Sequence, residues 1–529
     1  MKSFVKFVED SGAYGEPQSL SRKPVFRSSA IFPVNINEAL SCRVLFMGYW
    51  ILKREMLEIG LVYTLKDSNG VLLSRTSMTI NSPKAYRIDV KEILGDRFDG
   101  QFTGSLEIEV FSSRDMVFPY PAFVLEYYSA SFSTCVHTLG RVYNDFEDLK
   151  DVSDYTVPES GFDILPSADA EPFFAFCNGP VENTETIALE LINNKNETRH
   201  TVLNTSDYLT KEYATNFIYI KKFFPDFDAF LGGDKGTIKI KHQLKGFFPR
   251  FLAGNFSDNT SKLSITHTYY DCSDLKDEGA YWKRNSNLFH DSCIFAPVFP
   301  QPEYNTEIVF YPIYSPSSYI LDITLVDFEG NSIAKLQDYQ GKEIGSEKEF
   351  FRIDVNKIIQ DKALDATLVA GIFIAQRWPH SDMIPNRIKF GLNVSMLNHD
   401  KGLSSNICFN SELGIAKTLQ KKGTRKWAPL VNNGKSLIVL NNSSTLLDYD
   451  KSAGVNVRIF RESDNNYLER HYTIPHFGQK RIILDEDTEI AEFLGGKSGW
   501  VYIDADSPFV NAWYFNFSES GVVGADHAF

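Results

Sequence analysis

The chain has 529 residues, of which 43% are hydrophobic and 14% aromatic, enough apolar material for several cores, so a disordered chain is excluded. At about 100–200 residues per domain, this length corresponds to about three to five domains. The formal net charge of −14 argues against a nucleic-acid partner, because an acidic surface repels a phosphate backbone.

Residues 1–25 read as an N-terminal extension. The first sixteen include Glu9, Asp10 and Gly12 and lack the apolar stretch of a secretory signal. The longest apolar runs, 45–52 and 366–375, are too short for a membrane span. A cytoplasmic location is therefore the default expectation, with export by another route left open. The six cysteines (Cys42, Cys135, Cys177, Cys272, Cys293, Cys408) form no Cys-x-x-Cys pair. Reduced, buried thiols are expected rather than a structural zinc site.

From residue 26 onward the chain repeats itself. Gly104-Ser-Leu-Glu-Ile-Glu-Val alternates apolar and polar residues as a half-buried strand does. Similar strands begin at Gly236, Gly371 and Gly499, a spacing that suits whole sandwich domains rather than solenoid repeats. Each is followed by a proline beside an aromatic (Phe118-Pro119, Phe248-Pro249, Trp378-Pro379, Pro508-Phe509) and then by a Tyr- or Phe-rich strand over 123–128, 263–270, 388–394 and 510–517. Upstream, the units open on Ile31-Phe-Pro, Phe173-Phe-Ala, Phe295-Ala-Pro and Trp427-Ala-Pro.

A second level of repetition pairs the units. Arg87-Ile-Asp-Val returns as Arg352-Ile-Asp-Val, and the turn ending at Gly70 returns at Gly330. Phe230-Leu-Gly-Gly returns as Phe493-Leu-Gly-Gly. The order is A-B-A′-B′, and the fold class is all-β: four tandem β-sandwich or jelly-roll-like units at 26–150, 170–285, 290–412 and 425–529. A is expected to pack on B. Asp67 and Asp327 open hairpin turns. Asp89 and Asp354 cap one or two helical turns, and 487–494 forms a short helix ended by Gly495. No helical period is sustained elsewhere, and turns every ten or so residues fit sandwiches.

Motifs for chemistry are sparse. The Gly-Gly pairs lack the lysine and hydroxyl of a phosphate loop, and neither Gly-x-Ser-x-Gly nor His-Glu-x-x-His occurs. Cys135 and His137 share a strand face, as do His380 and Asp382, and His267 and Asp271. His290-Asp291 and Asp526-His527 place a carboxylate beside a histidine, and His290 is the expected counterpart of His527. His471 and His476 face opposite ways. A metal site would need such ligands to converge from several strands; the blander reading of each pair is a hydrogen-bonded surface histidine. Asp485, Asp487, Asp504 and Asp506 are oxygen donors suited to a divalent cation, with a solvated face as the plain alternative. Tyr127, Tyr269, Tyr270, Trp282, Trp378, Trp513 and Tyr514 would stack on sugars if exposed and fill cores otherwise. Lys421, Lys422, Arg425 and Lys426 read as a solvated linker.

No motif is specific enough to name a family. The leading expectation is a non-catalytic binding or assembly protein with glycans as the ligand class. An enzyme acting on a carbohydrate or metabolite at a sandwich interface is the alternative. A self-associating shell or surface-layer protein is the third.

Overall fold

The computed structural model describes residues 25–143, 157, 159–165, 170–257, 261–271, 281–284, 288–312, 315, 317–341, 343–344, 350–385, 388–399, 402–413 and 421–529. The N-terminal extension lies outside them, as does Cys272, and so do the side chains of Asp271 and Trp282.

The first unit has eight strands: Arg27–Asn37, Ser41–Met47, Ile59–Asp67, Leu72–Ile80, Ala85–Asp89, Gln101–Phe111, Val124–Tyr128 and Ser133–His137. They form two antiparallel sheets with strand orders first-sixth-third-fourth and fifth-second-seventh-eighth. The other three units repeat both orders, so the chain is four copies of one eight-stranded sandwich. Alternation buries one face of each strand between its two sheets; Val44, Phe46, Leu106, Ile108 and Leu125 are all sealed there.

The turns and caps follow from local chemistry. Asp67 Oδ1 accepts from the amides of Asn69 and Val71, both at 2.9 Å. Asp327 repeats the arrangement with Glu329 and Asn331. Each fifth strand runs into a short helix before the sixth: Val90–Leu94, Phe227–Leu231, Val355–Asp361 and Thr488–Leu494. Asp89, Asp354 and Asp487 cap three of them by accepting a backbone N–H. Gly232 and Gly495 end theirs in the left-handed conformation, at φ 63° and 59°. Among the described residues, two helices escaped the sequence pattern, Tyr49–Arg54 after the second strand of the first unit and Phe227–Leu231 in the second unit, and both are too short to show a period.

The second unit departs from its expected bounds. Its first strand is Glu159–Ile164, before residue 170, and Phe173-Phe-Ala lies in the second strand, Glu171–Cys177. The expected seventh strand over 263–270 is instead the eighth, Lys262–His267, and the seventh is Leu252–Ser257. The remaining opening phrases do sit in first strands.

The four sandwiches close into a ring. In each, the hairpin between third and fourth strands meets the start of the next unit's fifth strand. The Thr215 amide donates to Ser68 O (3.0 Å), the Phe350 amide to Asn196 Oδ1 (3.0 Å), the Gln479 amide to Phe328 O (2.9 Å) and the Ala85 amide to Arg461 O (3.2 Å). The last of these joins the first unit to the fourth. A packs on B as expected, but B packs on A′ and B′ on A in the same way, so the A-B pair has no privileged interface. Each fifth-second-seventh-eighth sheet is therefore covered on both faces, which is why an inner strand such as Ser133–His137 is buried along its whole length rather than alternating.

A histidine cluster at the hub as the candidate functional site

The eighth strands, Ser133–His137, Lys262–His267, Ile407–Asn410 and Val523–His527, converge at the middle of the ring. The Ile265 amide donates to Thr134 Oγ1 (3.1 Å), and Ser264 Oγ to Ser404 O (2.7 Å). The Val523 amide donates to Leu403 O (2.9 Å). A Cβ on Gly524 would lie 2.5 Å from Ser133 O and 2.7 Å from Thr134 Cα. Only glycine permits this approach of two backbones.

Strand register places one residue of each unit at the same level of the hub. The fifth-strand residues two beyond the junction amides are Arg87, Phe217, Arg352 and Arg481. Followed across the sheet, they lead to Leu45, Val124 and His137; to Ala175, Leu252 and His267; to Val309, Gly391 and Cys408; and to Val439, Trp513 and His527. Three units thus supply a histidine and the third supplies a cysteine.

The histidines meet. The ring of His137 lies 4.6 Å from that of His267 and 4.5 Å from that of His527, centroid to centroid. His137 Nδ1 is 2.7 Å from Asp526 Oδ2, which also accepts the His137 amide at 2.8 Å. His267 Nδ1–H donates to Thr268 O (2.9 Å) and His527 Nδ1–H to Ala528 O (3.0 Å). Carbonyl oxygens only accept, so both protons are fixed on Nδ1 and each Nε2 keeps its lone pair. His267 Nε2 is buried without a hydrogen-bond partner. Burial holds His267 well below the usual imidazole range and His527 at about 4, so both are neutral at pH 7. Burial pushes the Asp526 carboxyl up, but His137 and its hydrogen bonds outweigh it and hold the group below its ordinary value. His137, His267 and Asp526 are 7%, 3% and 3% exposed; the Phe529 ring packs edge-on to His137, and His527 is half-buried beside Trp513.

Of the expected site residues, Asp526 and His527 thus join a site. Its other members, His137 and His267, were visible only as isolated pairs with Cys135 and Asp271. The overlooked signal was periodic: Cys135-Val-His137, Ile265-Thr-His267 and Ala525-Asp-His527 each end a strand, about one repeat apart or two.

His290 is not the counterpart of His527. It precedes the first strand of the third unit, its ring packs on Phe373 (5.2 Å), and burial lowers its pKa. Asp291 instead takes a bidentate bond from Arg284, 2.6 Å on each oxygen, and accepts the Trp378 amide at 3.1 Å. Asp382 lies 3.6 Å from the same arginine, and exposed His380 faces Glu343 at 3.6 Å.

The aromatic candidates whose side chains are described lie inside. Trp378 (0% exposed) donates to Ser315 Oγ, Trp513 (4%) donates to Asn441 Oδ1, and Tyr514 is 3% exposed. Tyr127, Tyr269 and Tyr270 are buried as well. Packed side by side with other apolar groups, these rings have no open face for a sugar.

The four acids are spent separately. Asp487 caps its helix and pairs with Arg470 (3.2 Å), Asp506 Oδ1 accepts the Gly454 amide (2.8 Å), Asp504 lies 3.6 Å from Arg425, and Asp485 is exposed. Among the described residues, the group of histidine, cysteine or acidic side chains close enough to share a metal ion is His137, Asp526 and His527. The basic run is only partly linker: Arg425 and Lys426 belong to the strand Thr424–Leu430, and burial lowers the Lys426 pKa beside Glu412.

No family model and no curated protein matches the chain. Among solved structures it is similar to a tetra-tandem repeat in the extending region of a large adhesion protein, at 8% identity over 88% of this chain and 90% of that one, with a TM-score of 0.10. It is also similar to a glycosyl hydrolase family 2 member from Bacteroides cellulosilyticus, at 6% identity over 95% and 92% of the two chains, with a TM-score of 0.13. A calcium-binding mutant of Bacteroides uniformis beta-glucuronidase 2 matches at 9% identity over 51% of this chain and 30% of that one, with a TM-score of 0.11. TM-scores this low carry no argument, and the all-β sandwich assignment rests on the strand pairing described above.

Proposed function

We propose that this chain is a non-catalytic assembly protein, a rigid ring of sandwiches that associates with further copies of itself. The observation that supports this reading is the fate of the sheet edges. First strands are flanked by added segments in the second and third units (Tyr269–Asp271 and Glu412–Leu413), fifth strands meet the neighbouring hairpin, and eighth strands fill the hub. The fourth strands, Leu72–Ile80, Thr198–Leu203, Ser332–Leu336 and Tyr467–Ile474, stand at sheet edges and are largely exposed. Edges of this kind pair with other extended segments.

Enclosure of the hub weighs against catalysis, since a general acid or base must come within hydrogen-bond reach of a substrate. Burial of the described aromatic candidates weighs against the glycan form of the expectation. Light scattering across a concentration series, run beside turnover assays on glycosides and esters, tests the reading. Concentration-dependent association without turnover is expected. A strictly monomeric protein at millimolar concentration, or turnover that follows the folded protein, overturns it.

A further inference from the structure

We propose that the hub binds one divalent transition-metal ion of the zinc class, held by His137, Asp526 and His527, with His267 completing the set. One ligand atom from each of the first three residues already lies within 4.8 Å of the other two. Ligands around one tetrahedral ion stand about 3.3–3.6 Å apart when each metal–ligand distance is about 2.0–2.2 Å, so small side-chain rotations would bring these atoms onto a shared ion.

The second observation is the imbalance of donors and acceptors. Two rings have their Nδ1 protons engaged by carbonyl oxygens, which leaves their Nε2 lone pairs unprotonated, and the His267 Nε2 has no partner. The remaining ring leans on a carboxylate. Asp526 is answered by the His137 and His527 amides, but the His267 Nε2 lone pair in this largely dry place is not, and an uncompensated buried acceptor is costly. A cation bound by the free nitrogens and a carboxylate oxygen resolves the imbalance. Carbonyl partners on the far side of metal-bound imidazoles, as at His267 and His527, are the usual means of fixing their tautomer and aim.

The donor set, three nitrogens and one oxygen, fits zinc-type tetrahedral ligation rather than the all-oxygen shells of calcium or magnesium. The ligands come from the first, second and fourth units, so the ion would clasp the ring across its middle. Cys408 occupies the fourth equivalent level but packs among Tyr269, Tyr311 and Val309, and is left out of the set. Half-buried His527 marks the side from which an ion enters.

The test uses the full chain, produced with Zn2+ in the medium and exchanged into metal-free buffer, with metal counted by mass spectrometry. About one zinc per chain is expected. H527Q should bind zinc at least tenfold more weakly, while H380Q and H471Q, changes at exposed positions, should leave occupancy intact. Co2+ in place of Zn2+ should give the intense visible bands of tetrahedral coordination. If H527Q does not fold, stripping the wild-type chain with a chelator should lower its melting temperature and Zn2+ should restore it. A folded wild-type chain that holds no zinc even after equilibration with excess Zn2+, or zinc that is lost in H380Q or H471Q and kept in H527Q, overturns the proposal.

Discussion

The junction between the second and third units and the junction between the third and fourth share one docking geometry and almost no chemistry. In the first, Arg352 Nη2 lies 2.7 Å from Asp163 Oδ1, Asn393 Nδ2 donates to Asp163 Oδ2, and Lys235 pairs with Glu307. In the second, Phe299 packs edge-on against Phe515 (4.7 Å) and Phe517 (5.2 Å), Tyr304 lies 4.7 Å from Phe517, and Arg481 covers Phe299 (4.5 Å) while donating to Val298 O. Backbone register and hairpin contacts set how the units meet, and side chains then fill the space with either ions or rings. The two fillings should fail differently. Burial pushes the Asp163 carboxyl above its ordinary value even with Arg352 and Lys235 beside it, so that junction bears the desolvation cost of a carboxylate; at the aromatic one the buried charge is Arg481, whose burial lowers its pKa to about 10.

The largest effect is expected from R352A. It strands a fully buried carboxylate and should cost about 3–5 kcal/mol, read as a fall in the urea midpoint at pH 7. A loss below about 1 kcal/mol would mean that water or Lys235 compensates Asp163. At the aromatic junction, F517A removes a ring that is 4% exposed and should cost about 3–4 kcal/mol through transfer and cavity terms. This loss should be the same at low and high salt, whereas the cost of R352A need not be. A salt-dependent F517A would contradict the apolar reading of that junction.

A pH experiment separates the charged junction from the sandwich beside it. His242 is buried against Phe251 (5.1 Å), and burial alone lowers its pKa to about 4. Its folded pKa lies below the unfolded value of about 6.5, so the unfolded chain binds the extra proton. The second unit therefore keeps its full stability above about pH 6.5 and loses it as pH falls toward 4, by up to about 3 kcal/mol. H242F should flatten that loss, checked by comparing denaturation midpoints of both chains at pH 7 and pH 4.5. Equal losses in the two chains would place the acid sensitivity elsewhere, with His267 and His527, which burial also holds below the usual imidazole range, as the next groups to test.

The sandwiches were legible because local rules governed them. Asp67 and Asp327 make the turns their sequence announces, and Asp89, Asp354 and Asp487 cap the helices expected of them. The ring was not legible, because closure depends on hairpins meeting strands more than a hundred residues away, such as Ala85 on Arg461. The second unit misled for a related reason: Phe173-Phe-Ala matches the other opening phrases in composition, yet it lies in the second strand, where Phe174 joins the unit's own core and Phe173 and Ala175 join the core shared with the first unit. At the site, Asp526 and His527 were adjacent and therefore visible. His137 and His267 come to the same place only through strand register. The aromatic candidates were ambiguous in principle, since a Trp that binds a sugar and a Trp that fills a core look alike until burial is known.

The smallest effect is expected where both members of the ion pair are replaced together. The doubly substituted chain D163L/R352M takes the buried charge away from both sides and keeps comparable volume, a change that often leaves stability unaltered or raised. One cost remains: Asn393 Nδ2 loses the acceptor it had in Asp163, a buried donor worth about 1 kcal/mol or somewhat more. The double variant should therefore be destabilised by only about 1 kcal/mol, well short of R352A alone. A further N393L change removes the orphaned amide but takes from Asn406 Nδ2 its acceptor, so it should recover only part of what is left. If the double variant is as damaged as R352A, the ion pair itself holds these units together, and the two junctions differ in the strength of their attraction as well as in its chemistry. If it is nearly as stable as the parent chain, the ions serve to set which faces meet, and the attraction between units comes from backbone contacts and apolar burial common to all four junctions.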